Sequence, residues 1–400
     1  MKASATTHVP AFPFARRDPF GLAPELAELR RDQPISRVEI WDGSHPWLIT
    51  SLELARAVLG SRRFSSDAAL PGFPTVSPER QNANALGRTL IRMDPPEHTR
   101  YRRLLNPDFV ITRVNGMRAE IQRIADDLLE AMTRQSPPTD LVEAYALPLP
   151  SLVICHLLGV PRADRPYFEE WARRLVSFRS SREELRTAFD ELRSYMDRLV
   201  AAKRTEPAED VLTRLVEQER AGEMTHEEVV DNARLLLLAG HVTTANMIAL
   251  GALSLLRDPD QLAALRGDPA LVPGAVEELL RHMTLIQSGL RRVATEDVEI
   301  GGQLIRAGEG VIVHIAAANR DQAFTEPERF DVRHEVRHHL AFGYGFHQCL
   351  GQLLARAELQ IALDTIIRRL PGLALAVPVE QLAWRDETFL HGLYELPVTW

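Results

Sequence analysis

Phe342-Gly343-Tyr344-Gly345-Phe346-His347-Gln348-Cys349-Leu350-Gly351 is the stretch that decides the fold. It sets one of only two cysteines in a glycine-rich loop, just ahead of a helical pattern over residues 352–370. A thiolate at a helix N-terminus is favoured by the unsatisfied backbone N–H groups there and by the helix dipole. Three glycines in ten residues let the backbone wrap closely around something large and flat. A cysteine that gives its sulfur to haem iron needs this setting, so the segment reads as a site for an axial thiolate. Cys155, inside the apolar run Leu152-Val153-Ile154-Cys155-His156-Leu157-Leu158, reads instead as a small buried hydrophobe.

Phe342, Gly343, Gly345, His347, Cys349 and Gly351 resemble the haem-binding signature of the cytochromes P450, with no departure. The similarity runs from about residue 13 to residue 400. It implies a mainly α fold with a small β region, a single triangular domain over residues 1–400, and haem b between two helices. It also implies Cys349 as the metal ligand, with Phe342, Gly343 and Gly351 shaping the cofactor seat.

The bulk properties agree with a soluble cytoplasmic enzyme. Hydrophobic residues make up 45% of the chain and charged residues 26%, and the formal net charge is −8. That acidic balance argues against general nucleic-acid affinity. Two cysteines in 400 residues offer no disulfide framework. Residues 1–13 lack an apolar core of signal-peptide length. Residues 235–256 carry no Asp, Glu, Lys or Arg and are long enough to span a bilayer. His241, Thr243, Thr244, Asn246 and Ser254 are spread through them, however, so a buried central helix explains the run better than a membrane span.

Helical patterns cover residues 24–32, 52–59, 97–105, 114–134, 147–158, 182–204, 209–221, 225–256, 259–266, 271–282 and 352–370. Thr225-His226-Glu227-Glu228 is a capping box. Strand-like runs are short: 35–40, 47–50, 298–300, 304–305 and 310–314, with Gly301-Gly302 as a hairpin turn. Residues 70–87, rich in Pro and Gly, read as a long loop of the kind that serves function.

Glu278 and Arg281 stand one helical turn apart, a pair worth only about 0.2–0.5 kcal/mol on a surface. The resemblance implies more: with Arg329 they form a buried network bracing the cysteine loop. Haem propionates need cations, and the positions matching the family are His98, Arg102, Arg292 and His347. Arginine pairs with carboxylates through parallel hydrogen bonds. Arg100 and Arg103, on other faces of the same helix, read either as a basic patch for an acidic electron donor or as a solvated face.

Ala239-Gly240-His241-Val242-Thr243-Thr244 breaks the apolar helix. A threonine there can bond the carbonyl one turn back. The resemblance implies that Gly240 gives dioxygen and substrate room and that Thr243, with Thr244 beside it, serves oxygen activation. One departure stands out: Val242 occupies the position of the family's usual acid. Valine cannot relay the protons that oxygen cleavage consumes. Three explanations stay open. The threonines, His241 and water carry protons alone or with a substrate group; the reaction is an oxidative coupling without oxygen insertion; or the chain is similar to the fungal nitric-oxide-reducing P450s, whose helix Met247 to Gly251 resembles. A haem protein that only senses a ligand would need neither Gly240 nor Thr243. Pro71-Gly72-Phe73-Pro74 and Asp94-Pro95-Pro96-Glu97-His98-Thr99-Arg100 are similar to actinomycete P450s of secondary metabolism, which favours natural-product tailoring.

Family topology places the substrate against the 70–87 loop, residues 168–187 and 285–290, and His241, Val242, Thr244, Ile286, Gln287, Leu290, Phe389 and Leu390. Such a lining suits a mid-sized, mostly apolar ligand oriented by sparse hydrogen bonds. Electrons are expected from a ferredoxin and its reductase, since no flavin domain is fused here. The substrate arrives free or tethered to a carrier protein.

Overall fold

The computed structural model describes residues 9–75, 77–78, 89–177, 179–385, 388 and 390–400. Its helices are α1 (Pro24–Asp32), α2 (Leu52–Gly60), α3 (Glu97–Leu105), α4 (Ile111–Thr133), α5 (Pro148–Leu158), α6 (Arg165–Val176), α7 (Arg182–Lys203), α8 (Val211–Arg220), α9 (His226–Leu256), α10 (Pro259–Gly267), α11 (Val272–His282), α12 (Ile315–Ala318) and α13 (Gln352–Arg369). The strands are β1 (Ile35–Arg37), β2 (Trp47–Ile49), β3 (Phe64–Ser65), β4 (Thr139–Asp140), β5 (Leu290–Ala294), β6 (Val298–Ile300), β7 (Gln303–Ile305), β8 (Gly310–Val313), β9 (Ala374–Leu375) and β10 (Pro397–Thr399).

The centre of the molecule is α9, packed against α5, α7 and α13. It opens with the expected capping box: Thr225 Oγ1 accepts from the Glu228 N–H at 3.2 Å, and the Thr225 N–H donates to Glu228 Oε2 at 2.8 Å. The helix is long and apolar enough to cross a membrane, yet 72% of its most apolar window is buried inside the protein. One continuous apolar cluster joins α4, α5, α8, α9, α11 and α13, and burial on this scale, at about 25 cal/mol per Å², is what holds the helical layer together.

The sheet of order β1-β2-β8-β5-β3 has its own core, which includes Ile49, Val58, Leu59, Val311 and Val313. Strands β2 and β8 pair in parallel, Trp47 facing Val311 and Ile49 facing Val313. Strands β5 and β8 pair antiparallel, setting Arg292 opposite Val311. Gly301-Gly302 closes the β6–β7 hairpin as the sequence predicts. Smaller pairings join β4-β10-β9.

Several elements escape the pattern reading, among them α12, β3, β4, β9 and β10, which are two to four residues long, and also α6 and β5. Helix α6 buries Phe168 and Ala172 and sets Trp171 and Leu175 against the core, a short stripe flanked by Glu169, Glu170, Arg173 and Arg174. Strand β5 holds two consecutive arginines, and burying Arg292 there breaks the expected alternation.

Candidate functional site

Between α9 and the 342–351 loop lies a cavity of about 330 Å³. Gly240, Thr243, Thr244 and Met247 line it from α9, and Phe342, Gly343, His347, Cys349 and Gly351 line it from the loop. The loop is held open by its own backbone. The Cys349 N–H donates to the Phe342 carbonyl at 2.8 Å, and Gly343 and Gly345 take φ of 70° and 72°. Gly345 is obligatory, because a Cβ there would sit 2.6 Å from the Leu59 carbonyl oxygen.

Cys349 faces the cavity. Burial raises the pKa of its thiol, while the Gly351 N–H and the charges of Arg102 and Arg356 oppose that rise. Arg102 also donates from Nη1 to the Gln348 carbonyl at 2.5 Å, gripping the residue before the cysteine. Cys155 is buried and its thiol is pushed up to about 12 by burial, as suits an inert core residue.

Of the family's cationic positions, His98, Arg102 and His347 line the cavity, and Arg292 lies close enough for its charge to act on both histidines. His98 is 2% exposed, and both its ring nitrogens are buried without a partner. Arg292 is 7% exposed, and its Nε is also buried without a partner, while Nη1 donates to the Arg291 carbonyl at 2.8 Å. The His347 ring centre lies 4.3 Å from that of His98, the two planes tilted by 56°, and its Nε2 lies 2.8 Å from Ser66 Oγ. Burial, reinforced by Arg292 and His98, lowers the pKa of His347 to about 3. Orphaned donors clustered in this way cost free energy unless an acceptor meets them. A flat dianionic macrocycle fits: its carboxylates would meet His98 and Arg292, its metal would face Cys349, and the space at Gly351, where a Cβ would meet nothing within 4 Å, leaves room for its plane.

The brace of the loop differs from the expected trio. Glu278 and Arg281 are fully buried and doubly bonded, Nε to Oε2 at 2.7 Å and Nη2 to Oε1 at 2.8 Å. Arg281 also donates to the carbonyls of Asn319, Pro327 and Arg329. The Arg329 guanidinium, however, is 56% exposed and pairs with Glu326 and Asp331. Its backbone carbonyl joins the network while its side chain stays at the surface. The third place at Glu278 is taken by His334, whose Nδ1 lies 3.1 Å from Oε1, and by the Asp331 N–H.

On α9, Thr243 Oγ1 donates to the Ala239 carbonyl at 3.0 Å. Gly240 admits α5 as well as the cavity, since a Cβ there would lie 2.7 Å from Ile154 Cδ1. Three predicted substrate contacts are corrected. His241 is fully buried outside the cavity lining, with Nδ1 2.7 Å from the Leu237 carbonyl and its ring edge-on to Phe168. Burial lowers its pKa to about 4. Val242 packs with Ala172 and Leu390 and borders a separate 20 Å³ void shared with Asn246 and Arg385. Gln287 is also absent from the lining, although its neighbours Leu285 and Ile286 belong to it. Ile286, Leu290 and Leu390 do line the cavity. Phe389, and residues 76 and 79–87 of the predicted loop, fall outside the described residues.

Sequence reasoning missed Glu358 on α13. It is 1% exposed, lines the cavity, and leaves Oε2 without a partner. Burial raises its pKa well above the ordinary carboxyl value, which favours the protonated form. The signal was present: an acid stands where Leu354, Ala357, Leu359 and Ala362 define a buried helix face. Arg100 and Arg103, weighed as a donor patch, are engaged by Glu228 and Glu223.

Comparison with known proteins fixes the family. The cytochrome P450 family model matches residues 167–371. The chain is 51% identical over 383 residues to cytochrome P450-SU2 of Streptomyces griseolus, covering 96% of this chain and 94% of that one. It is 47% identical over 392 residues to pentalenic acid synthase of Streptomyces avermitilis, covering 98% and 97%. The crystal structure of the mycinamicin VIII C21 methyl hydroxylase MycCI from Micromonospora griseorubida, bound to mycinamicin VIII, superposes with a TM-score of 0.93 at 40% identity, over 98% of this chain and all of that one. The chain belongs to the cytochrome P450 family and is a haem b monooxygenase.

Proposed function

We propose that this protein oxidises a mid-sized, mostly apolar secondary metabolite by hydroxylation or epoxidation, in the cytoplasm, as one catalytic domain. The observation that carries the reading is the convergence of Cys349 and Thr243 on one cavity whose far wall is apolar, formed by Leu235, Leu236, Leu285, Ile286, Leu290 and Leu390. When bound, haem b supplies activation of dioxygen for insertion of one oxygen atom into the substrate; the second leaves as water after uptake of two electrons and two protons.

The chain's own residues do the rest. Cys349 holds the metal, with Phe342, Gly343 and Gly351 around it, and His98, Arg102, Arg292 and His347 hold the propionates. The Thr243 hydroxyl donates to Ala239 and keeps its lone pairs for a water on the cavity side, so it passes a proton on by rotating. Val242 brings no acid, and Glu358 compensates by holding a proton on a carboxyl at the cavity wall. The apolar wall excludes water and orients substrate by shape. Electrons come from a ferredoxin served by a ferredoxin reductase.

The test is spectroscopic. The reduced protein under carbon monoxide is expected to show the red-shifted Soret band of a thiolate-bound haem, and Cys349→Ser to lose it. Titrating the ferric protein with polyketides, macrolides, terpenoids, cyclic dipeptides and aromatic peptides is expected to give a blue Soret shift with one neutral, apolar class. A shift with carrier-bound substrates alone would replace a free substrate with a tethered one. The position of Val242 favours a second reading, oxidative coupling. Labelled dioxygen decides between them, because coupling leaves no label in the product.

A further inference from the structure

Glu278 has an acidic neighbour, Glu277, that looks the other way. Its carboxylate receives two bonds from Arg356 on α13, from Nε at 2.7 Å and Nη2 at 2.9 Å. It also meets His339 Nε2 at 3.0 Å. Burial alone would raise the pKa of Glu277, but His339 and Arg356 outweigh it and hold it at about 2. His339 Nδ1 accepts from the Ala341 N–H at 3.1 Å, so the ring proton sits on Nε2 and points at Glu277. The His339 side chain is 2% exposed. Arg356 in turn lies over Phe342, guanidinium carbon to ring centroid 4.5 Å, and the Phe342 carbonyl accepts the Cys349 N–H. Arg356 is one of two arginines whose charge acts on the Cys349 thiol.

A positive charge behind a thiolate withdraws electron density from it, and a carboxylate bonded to that charge cancels most of the withdrawal. The geometry therefore assigns Glu277 a task distinct from the bracing done by Glu278. We propose that Glu277, aimed by His339, is a positioning residue that sets how much of the Arg356 charge reaches Cys349, and so tunes the reduction potential of the bound haem iron. The proposal rests on ligation by Cys349.

Charge-changing substitutions separate tuning from mere support, because tuning has a sign. In the haem-loaded protein, Glu277→Gln leaves Arg356 uncompensated and favours the reduced iron. The expected change is about tenfold in the one-electron equilibrium, ~59 mV upward. Arg356→Gln leaves Glu277 uncompensated and shifts the potential downward by a similar factor. The double variant returns towards the parent value, and Arg356→Lys, which keeps the charge, stays near it. Spectroelectrochemical titration reads all four, with the ferrous carbon monoxide band checked in each. Shifts of the same sign, or no shift in either single variant, overturn the proposal. If Glu277→Gln fails to load haem, Arg356→Gln against Arg356→Lys decides: a downward shift confined to the first supports it, and equal potentials overturn it. A parent protein without the thiolate band removes the ligation reading, and this proposal with it.

Discussion

On the cysteine side of the cavity, buried and half-buried charges are held in specified pairs. Arg281 is bonded to Glu278 and three carbonyls, and Arg356 to Glu277. On the α9 side the wall is Leu235, Leu236, Ala239, Gly240 and Met247, with Thr243 and Thr244 as its hydroxyl groups. The first arrangement tolerates least change at its fully buried Arg281–Glu278 pair, where removing one partner strands the other in a low-dielectric interior. The second is an apolar surface, and swaps of similar volume there usually cost less than about 1.5 kcal/mol. One side fixes the cofactor's geometry, and the other is free to be recut for different substrates.

The largest break in that contrast is expected from Arg281→Met. It leaves the Glu278 carboxylate buried without its main donor, and should cost about 3–5 kcal/mol in urea unfolding and most of the haem content. A distal substitution, Val242→Asp, should be milder. The new carboxylate enters an apolar cluster beside Arg385, whose Nε is bonded to the Leu393 carbonyl. The expected cost is about 1–3 kcal/mol. The same variant should raise the ratio of product to peroxide; an unchanged ratio would mean that Glu358 and Thr243 already supply the protons.

Glu358→Gln sharpens the comparison through pH. Burial raises the pKa of the native carboxyl well above that of the unfolded chain, which ionises at pH ~4.3. Above that value the unfolded state binds fewer protons than the native one, so the parent loses stability as pH rises towards the native pKa. Glutamine is neutral in both states. Relative to the parent, the variant should gain stability as pH rises from the unfolded towards the native pKa, by up to about 1.4 kcal/mol per pH unit, measured by urea unfolding across that window. A flat difference would mean that Glu358 ionises in the native protein. The smallest effect is expected from Gly240→Ala. About 1 kcal/mol of helix propensity is gained, while Ile154 must shift to clear the new methyl group. The midpoint of thermal unfolding should move by only a few degrees.

The same asymmetry governs what the sequence made legible. The cysteine loop depends on residue types that nothing else can replace: glycine where φ is positive, cysteine for ligation, and arginine for several simultaneous bonds. These were readable directly from the letters. The Arg329 side chain was misassigned because the network uses its carbonyl, and backbone atoms are the same in every residue. His241 and Val242 were misplaced because neighbours on a helix differ by about 100° in direction, and the direction of the cavity is not written in the helix itself. Glu358 passed unnoticed in a helix already explained by its apolar face. Helix ends agreed with the sequence to within a few residues where caps were explicit, as at Thr225.

The parallel pairing of β2 with β8 has a consequence for synthesis. Residues 47–49 pair with residues 35–37 on one side, but their partner on the other is residues 311–313, so residues 50–310 must be made between the two. At the usual ribosomal pace of 5–20 residues per second this takes roughly 10–50 s. During that interval Trp47, Leu48 and Ile49 leave the ribosome with no strand 8 to cover them, and any of the segment already outside the tunnel depends on chaperones or on its β1 hairpin to stay out of aggregates. The newborn chain is most vulnerable at its N-terminal sheet, far from the helices that carry its chemistry.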